Sequence, residues 1–246
     1  MDDFETALIT GGSHGLGRAL AAALAERGVR VVIAARELTA LEAHAAALRQ
    51  RGFTVHAVQA DLADKTAIHP LAAQAAALVG PIDVLINNAS TLGPSPLTPL
   101  ANTECEDLEQ ALAVNLVGPF RLTKAVLGSM LVRQRGVVVN ISSDAAVQAY
   151  PSWGAYGATK AALDHMTRTW ANELPATSGV RMFSVDPGEM DTRMHRAALP
   201  DVDPAELAAP REVAEHILNM LLTPSRAAHG ARLEVSTWRT QHASAA

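Results

Sequence analysis

A phenol and an ammonium stand four residues apart in the segment Tyr156-Gly157-Ala158-Thr159-Lys160. Residues at this spacing share one face of a helix and can interact. A phenol titrates near ~10, and a neighbouring cation lowers its pKa because the cation stabilises the phenolate. A fall of about three units in the pKa corresponds to about 4 kcal/mol of stabilisation of the phenolate relative to the phenol. Tyr156 is therefore predicted to exchange a proton with a substrate, whereas an isolated pair of this kind would be a packed tyrosine beside a solvated lysine.

Two serines, Ser142 and Ser143, follow the apolar run that ends in Asn140-Ile141. Residues just beyond the carboxyl ends of parallel strands line the ligand crevice of α/β sheets. Ser143 is predicted to donate to a substrate oxygen and to stabilise the charge that develops there. A serine at this place can instead cap a helix or form a turn, and we assign that role to Ser142.

A glycine-rich segment, Thr10 to Gly17, follows the first predicted strand and opens the first predicted helix. Glycines allow a tight turn and a close approach of backbone to a pyrophosphate, and the helix N-terminus attracts phosphate. The glycines that we assign to these roles are Gly11, Gly15 and Gly17, and their spacing differs from that of the common dinucleotide fingerprint. Its position after the first strand favours a dinucleotide site over an ordinary strand-to-helix turn.

These groups require a scaffold, and short β-branched runs alternate along the chain with Ala/Leu-rich helical patterns such as Leu16 to Arg27 and Leu38 to Arg51. Alternation of this kind indicates repeated βαβ units. We predict one α/β domain over residues 1–246 with a Rossmann-like, doubly wound, seven-stranded parallel sheet flanked by helices on both faces. The predicted strands are Ala7–Ile9, Val29–Ala34, Thr54–Val58, Val84–Ile86, Val137–Ile141, Val180–Val185 and Ala231–Val235.

The bulk properties exclude several functional classes. The chain of 246 residues has a formal net charge of −5 and 18% charged residues, so nucleic acid is not an expected partner. The single cysteine, Cys105, and the acidic N-terminus predict a cytoplasmic protein. No apolar run reaches the roughly 18 residues of a membrane span. The nine histidines show no metal-ligand spacing, and no metal is expected.

Taken together, the motifs resemble the short-chain dehydrogenase/reductase family over nearly the whole chain. The matching pieces are Thr10-Gly11-x-x-x-Gly15-x-Gly17, Asn87-Asn88-Ala89, Asn115, Ser143, Tyr156-x-x-x-Lys160 and Pro187-Gly188. The resemblance implies hydride transfer between a nicotinamide cofactor and a carbonyl/secondary alcohol pair, catalysed by Asn115, Ser143, Tyr156 and Lys160. Asn115, in the long helix after the fourth strand, would hold a water beside Lys160 through its backbone carbonyl.

The same resemblance implies a set of cofactor contacts, with Asp61 at the adenine and the Pro187-Gly188 turn and Thr192 at the nicotinamide. It also implies a small-molecule substrate, a candidate substrate lid at residues 189–209, and a homotetramer or homodimer. The full set of cofactor residues is Gly11, Ser13, His14, Gly15, Leu16, Gly17, Arg36, Asp61, Leu62, Asn88, Ala89, Tyr156, Lys160, Pro187, Gly188 and Thr192.

The end of the second strand bears on the choice of cofactor. An acid there reads the ribose hydroxyls of NAD, whereas positive charge accommodates the 2′-phosphate of NADP. Ala35 occupies the place of the acid, Arg36 follows with a planar fork suited to phosphate, and His14 adds a basic residue in the glycine loop. We predict NADP(H), with NAD(H) as the alternative if Glu37 reads the ribose. Glu37 is otherwise a helix N-terminal acid.

Two departures from the family pattern concern Ser90 and the C-terminus. Ser90 follows Asn88-Ala89 where the family commonly has glycine, which adds a side chain beside the cofactor. The final strand leads into Val235-Ser236-Thr237-Trp238 instead of an acidic, glycine-rich turn.

Two alternative functions also stay open. The chain could be a cofactor-binding regulatory or scaffold protein, or an epimerase that acts through a transient ketone.

Overall fold

The computed structural model describes residues 4–222 and 229–237. Seven parallel strands form one sheet in the order β3-β2-β1-β4-β5-β6-β7. The predicted Rossmann-like, doubly wound α/β fold is therefore confirmed. The strands are β1 (Thr6–Thr10), β2 (Arg30–Ala35), β3 (Val55–Gln59), β4 (Val84–Asn87), β5 (Gly136–Ile141), β6 (Val180–Asp186) and β7 (Arg232–Glu234).

Helices cover both faces of the sheet because its central strands are apolar on both sides. On one face α1, α2 and α8 pack against residues such as Ile9 and Ile33. On the other face α3 and α5 pack against residues such as Leu8 and Leu85. The helices are α1 (Gly15–Glu26), α2 (Leu38–Gln50), α3 (Ile68–Val79), α4 (Cys105–Leu112), α5 (Gly118–Arg133), α6 (Gly154–Glu173), α7 (Arg193–Ala198) and α8 (Pro210–Leu222).

The helical segment around Asn115 differs from the prediction of one long helix. It comprises α4, a π-helical turn at Ala113–Val117, and α5. A π turn inserts an extra residue into the helical ladder, and such turns are frequent at functional sites. Gly118 follows the π turn, and a Cβ there would lie 2.9 Å from the Leu62 carbonyl oxygen. The local change of pitch thus brings the backbone beside Asn115 close to the loop after β3.

The order of the strands reverses between β1 and β4, which run side by side although β2 and β3 separate them in sequence. Ligands of doubly wound sheets bind in the crevice at such a reversal, beyond the carboxyl ends of the strands. The glycine loop follows β1 and Asn88 follows β4, so both lie at this crevice. The last strand, β7, is shorter than predicted and is followed at residues 235–237 by a helical turn. Trp238 lies outside the described residues.

Candidate active site

A cavity of about 570 Å³ opens at the carboxyl ends of the strands. Its volume is within the usual range for cofactor and substrate sites. The cavity brings together the predicted catalytic residues Ser143, Tyr156 and Lys160 with the predicted cofactor residues. Gly17 and Asn115 are the two predicted site residues that do not line it. The predicted cofactor residues in its wall are Gly11, Ser13, His14, Gly15, Leu16, Arg36, Asp61, Leu62, Asn88, Ala89, Tyr156, Lys160, Pro187, Gly188 and Thr192.

The glycine loop has the conformation that its sequence requires. Gly11 and Gly15 have φ of +70° and +51°, in the left-handed region that favours glycine. A Cβ on Gly17 would lie 2.3 Å from the Gly11 carbonyl oxygen, so Gly17 allows α1 to pack against the loop. His14 precedes α1 without a side-chain cap, and Gly15 and Leu16 of its first turn line the cavity. A helix N-terminus with uncapped N–H groups at this wall fits the pyrophosphate of a dinucleotide.

Thr10 joins the glycine loop to the segment after β4. Its Oγ1 accepts hydrogen bonds from the backbone N–H groups of Asn88 and Ala89, each at 3.0 Å. The Asn88 side chain returns a hydrogen bond from Nδ2 to the Thr10 carbonyl at 2.8 Å. Because both strands end at the crevice, these bonds fix the wall of the cavity between the glycine loop and Asn88. Thr10 belongs to the glycine-rich motif, but its hydrogen bonds to the segment after β4 leave no signal in the sequence.

The far end of the cavity carries both charges that bear on cofactor choice. Arg36 is exposed directly after β2, and its backbone carbonyl accepts from the Gln59 side chain at 2.8 Å. Glu37 occupies the N-cap position of α2 without a side-chain capping bond. Asp61 accepts from the Ala63 N–H at 2.9 Å, which fixes the turn after β3. Arg36, Glu37 and Asp61 all line the cavity.

Tyr156 and Lys160 are both buried at the base of the cavity, 8% and 2% exposed. Lys160 Nζ donates to the Ile141 carbonyl at 2.8 Å and lies 5.5 Å from the centroid of the Tyr156 ring. Burial lowers the pKa of Lys160 to about 8, an effect that the Asp164 carboxylate opposes. The ammonium and the phenol therefore lie together on one face of α6, as their spacing predicts.

The direction of the Tyr156 shift is opposite to the predicted one. Burial raises the pKa of Tyr156 to about 12, and the negative charges of Asp186 and Asp144 add to the rise. Side-chain hydrogen bonds with Ser143 and Ser90 act to lower the pKa but do not offset the burial. Sequence spacing reveals the neighbouring cation but not the desolvation of the phenol, and the predicted fall in pKa also included the positive charge of a bound nicotinamide.

Ser143, and not Ser142, provides the cap after β5. Ser143 Oγ accepts from the Ala145 N–H at 3.2 Å at the start of a 3₁₀ turn, Asp144–Ala146. The same hydroxyl donates to Asp144 Oδ1 at 2.9 Å. Ser142 is buried, and its Oγ has no hydrogen-bond partner within residues 4–222 and 229–237. The predicted role of Ser142 was wrong because the chain turns one residue later than assumed.

Asn115 is fully buried behind the cavity, in the π turn. Its Nδ2 donates to the Thr91 carbonyl at 2.8 Å and to Thr159 Oγ1 at 3.0 Å, and its Oδ1 accepts from the Thr91 N–H at 2.8 Å. Ser90 also donates to Asn115 Oδ1, at 3.1 Å. The side chain thus connects the loop after β4 to α6, which carries Tyr156. Ser90, the departure from the family pattern, is accommodated as a further member of this network.

Apolar and aromatic side chains form the open end of the cavity. Tyr150, Trp153 and Tyr156 make successive edge contacts, with ring centroids 6.5 and 5.8 Å apart. Tyr150 Oη donates to Asp144 Oδ2 at 2.8 Å, so a carboxylate stands beside this aromatic wall. The segment 189–209 contributes α7, whose N-cap Thr192 accepts from the His195 N–H at 3.1 Å. Its residues in the cavity wall are Glu189, Met190, Thr192, Arg193, Met194, His195, Ala198 and Leu199.

Two ionic residues beside the site have no role in the sequence analysis. Asp186 ends β6 directly before the Pro187-Gly188 turn, and burial raises its pKa. Arg232 on β7 forms an ion pair with Asp186 at 2.8 Å. Charged residues at the end of one predicted strand and within the last one were visible in the sequence, but only the register of β6 with β7 brings the two side chains together.

Within the part of the chain that the structure describes, no cluster of three or more His, Cys, Asp or Glu side chains could hold a metal ion. None of the described helices is long and apolar enough to cross a membrane.

Comparison with known proteins agrees with this geometry. The family model described as short chain dehydrogenase matches residues 5–203. A 3-oxoacyl-(acyl-carrier-protein) reductase from Synechocystis sp. is 35% identical over 229 residues, which cover 91% of each chain. The chain therefore belongs to the short-chain dehydrogenase/reductase family, as the motifs suggest.

Solved structures have the same fold. An actinorhodin polyketide ketoreductase variant solved with NADPH superimposes with a TM-score of 0.85 at 29% identity, covering 96% of this chain and 97% of that one. A short chain dehydrogenase from Shigella flexneri, solved in complex with NADP, gives a TM-score of 0.85 at 26% identity over 94% and 97% of the two chains.

Proposed function

We propose that this chain is an NADP(H)-dependent oxidoreductase that interconverts a carbonyl compound and a secondary alcohol. One observation carries the proposal: Ser143, Tyr156 and Lys160 line the same cavity as the glycine loop and the N-terminus of α1. The site thus offers a hydroxyl pair for a substrate oxygen and a wall for a dinucleotide. The reductase from Synechocystis and the two structures solved with NADP or NADPH support the same reaction class.

The proton chemistry belongs to the protein's own side chains. In reduction Tyr156 gives its hydroxyl proton to the substrate oxygen, and Ser143 turns its hydroxyl from Asp144 toward that oxygen. Lys160, charged at neutral pH because its pKa is about 8, compensates the phenolate that remains. A nicotinamide bound in the cavity would supply the hydride in reduction and accept it in oxidation. Positive charge is needed there because burial alone disfavours the phenolate.

Asn115 is the fourth residue of the proposed catalytic set, and its role is to hold a water in the path of proton transfer. Its side chain is committed to Ser90, Thr91 and Thr159, so its backbone is fixed in the π turn. The family resemblance implies that its backbone carbonyl holds a water beside Lys160. Proton exchange with solvent would then run from Tyr156 through Lys160 to that water.

The choice of NADP(H) depends on the charges after β2. Arg36 is exposed at the cavity wall and can form a paired hydrogen bond to a 2′-phosphate. Ala35 presents no carboxylate to repel the phosphate. Glu37 also lines the cavity, and NAD(H) remains the alternative cofactor through this side chain. The pyrophosphate would lie at Gly11 to Gly17, and the nicotinamide at Pro187, Gly188 and Thr192.

We further propose that residues 1–246 form one domain in the cytoplasm, that segment 189–209 is the substrate lid, and that the chain assembles as a homodimer or homotetramer. The position of α7 in the cavity wall supports the assignment of this segment as a lid.

The proposed assembly rests on an aromatic pair. The rings of Phe120 on α5 and Trp170 on α6 are in contact, with centroids 5.3 Å apart, and Phe120 is exposed. Such an aromatic pair on adjoining helices suits a two-fold interface. Light scattering that gives a monomer mass would contradict the assembly.

The reaction is tested by a panel of ketones and secondary alcohols, followed at the nicotinamide absorbance with NADP(H) and with NAD(H). We expect net consumption of NADPH with at least one ketone, or of NADP⁺ with the matching alcohol. A protein that binds NADPH and never oxidises it across the panel would favour the scaffold alternative. Substrate isomerisation without net cofactor turnover would favour the epimerase.

A further inference from the structure

Arg232 is a partly buried cation in the last strand of the sheet. Its side chain is 15% exposed, and it stands on β7 opposite Ser184 of β6. A guanidinium cannot lose its charge in a protein, so burial requires partners for its donors. The partners of Arg232 come from the turn after β5, from β6, from α6, and from Glu234 on its own strand.

The first contact is with the backbone of Ser143. Arg232 Nη2 donates to the Ser143 carbonyl oxygen at 3.1 Å. The Ser143 hydroxyl on the same residue points to Asp144, at the substrate end of the cavity. The guanidinium therefore fixes the peptide from which this hydroxyl projects.

The second contact is with the turn at the predicted nicotinamide position. Arg232 Nη2 also donates to Asp186 Oδ2 at 2.8 Å. The other oxygen of this carboxylate, Oδ1, accepts from the Gly188 N–H at 3.0 Å. Asp186 thus transmits the position of Arg232 to the Pro187-Gly188 turn.

The third contact is with the helix that carries Tyr156 and Lys160. Arg232 Nε forms an ion pair with Asp164 Oδ2 at 3.2 Å, and Asp164 is buried one turn after Lys160 on α6. One side chain therefore contacts the serine, the carboxylate that binds the turn, and the helix. Strand pairing alone would hold β7 against β6, and it does not require a buried charge there.

We propose that Arg232 is a positioning residue for the reaction, holding Ser143 and the Asp186–Gly188 turn in register with Tyr156. The inference rests on the proposed function, and it assigns a role to the last strand, directly before the segment where the sequence departs from the family pattern. Because small displacements of reacting groups are costly in catalysis, loss of this contact is expected to lower kcat by about 100-fold.

The test must separate positioning from stability, since Arg232→Met alone leaves two buried carboxylates without their cation. We therefore compare two variants without those charges. One carries Asp164→Asn and Asp186→Asn, and the other carries the same changes together with Arg232→Met. Asp186→Asn replaces one carboxylate oxygen by an NH₂ donor, so the link from Arg232 through residue 186 to the Gly188 N–H is broken in both variants, and their comparison tests the contact of Arg232 with the Ser143 carbonyl. Arg49→Met, which removes an exposed ion pair with Glu42, is the matched control for an arginine lost elsewhere.

The readouts are Tm, the affinity for NADPH, the fluorescence yield of the bound nicotinamide, and kcat and KM. Relative to the double variant, the triple variant is expected to keep its Tm within about 4 °C. Its affinity for NADPH is expected to persist because the phosphate wall is unchanged. Its bound nicotinamide should fluoresce differently and its kcat should fall about 100-fold, with little change in KM. Arg232→Lys in the otherwise unchanged chain should retain more of the wild-type Tm than of the wild-type kcat, because an ammonium keeps the charge but lacks the planar fork.

Equal kcat and equal nicotinamide fluorescence in the double and triple variants would overturn the proposal, and Arg232 would then be only a structural ion-pair partner. Failure of the proposed function is distinguishable, because it would be seen in the wild-type protein as absence of turnover. In a wild-type protein that binds NADPH without turnover, the fluorescence comparison still decides the role of Arg232.

Discussion

Ser143 Oγ donates its hydrogen bond to Asp144 Oδ1, at 2.9 Å. The proposed substrate-binding hydroxyl is therefore engaged with a carboxylate, and it must turn from that carboxylate to reach a carbonyl oxygen. Asp144 also opposes the phenolate form of Tyr156, whose pKa is raised first by burial and then by the charges of Asp186 and Asp144. One exposed carboxylate thus bears on both hydroxyls of the site.

Asp144→Asn is predicted to shift the pH dependence of alcohol oxidation to lower pH. Oxidation needs the Tyr156 phenolate as base, so its rate rises as the pH passes through the pKa of Tyr156. Removing a negative charge lowers that pKa, and the rise then occurs at lower pH. The measurement is kcat/KM for oxidation as a function of pH. Tyr150→Phe is the control, because it removes the phenol bound to Asp144 but leaves the carboxylate. If the pH profile of Asp144→Asn stays in place or moves to higher pH, Asp144 does not act on the pKa of Tyr156 as assigned.

Tyr156→Phe is predicted to lower kcat by about 10²- to 10⁴-fold, the range for loss of a general acid–base catalyst. NADPH affinity should change little, because the glycine loop and Arg36 are untouched. Steady-state kinetics and fluorescence titration measure the two quantities. Tyr150→Phe removes the only other tyrosine in the chain and should retain most of the turnover. Comparable losses in both variants would indicate that a phenol in the pocket matters for packing and not for proton transfer.

Gly17→Ala is predicted to destabilise the protein by about 1–3 kcal/mol and to weaken NADPH binding, because the added Cβ would lie 2.3 Å from the Gly11 carbonyl oxygen. Thermal unfolding and NADPH titration check this outcome. Gly128→Ala in α5 is the matched control, since no atom lies within 4 Å of its added Cβ. That control should stabilise the protein by about 0.5–1 kcal/mol. An unchanged Tm and NADPH affinity in Gly17→Ala would show that the loop can rearrange.

Arg36→Ala is predicted to remove most of a preference for NADPH over NADH. Loss of a charge-assisted contact to the 2′-phosphate should weaken NADPH binding by about ten- to a hundred-fold and leave NADH unaffected. His14→Ala should have a smaller effect, because a mostly neutral imidazole carries less charge at pH 7. Titrations with both cofactors measure this, with Arg49→Ala as control. If the wild-type protein prefers NADH, Glu37 and not Arg36 would be the residue that contacts the adenine ribose.

Much of the fold was predictable because apolar strands buried on both faces leave a clear signal in the sequence. Runs such as Val137 to Ile141 correspond closely to the observed strands, and residues at strand ends necessarily meet at one edge of a parallel sheet. The cavity that unites Ser143, Tyr156 and the glycine loop follows from that rule. The motif order then indicated the family, which the comparison with known proteins confirmed.

The parts that escaped prediction depend on three-dimensional detail. Either Ser142 or Ser143 could cap the turn after β5, and the backbone direction beyond the strand decides between them. The pKa of Tyr156 depends on burial, and the spacing of Tyr156 and Lys160 in the sequence carries no information about burial. Arg232 meets Asp186 only through the register of β6 with β7, two strands that are separated in sequence by the segment that includes α7 and α8.

Direct transfer of hydrogen from cofactor to substrate is the central claim, and isotope labelling tests it most directly. NADPH carrying deuterium at both hydrogen positions of the dihydronicotinamide C4 is incubated with the protein and the best ketone of the panel, and the alcohol is analysed by mass spectrometry. We expect one deuterium per molecule of alcohol, bound to the former carbonyl carbon, with Tyr156→Phe forming little product. Alcohol without deuterium, or NADPH that stays unoxidised while the substrate only isomerises, would contradict it.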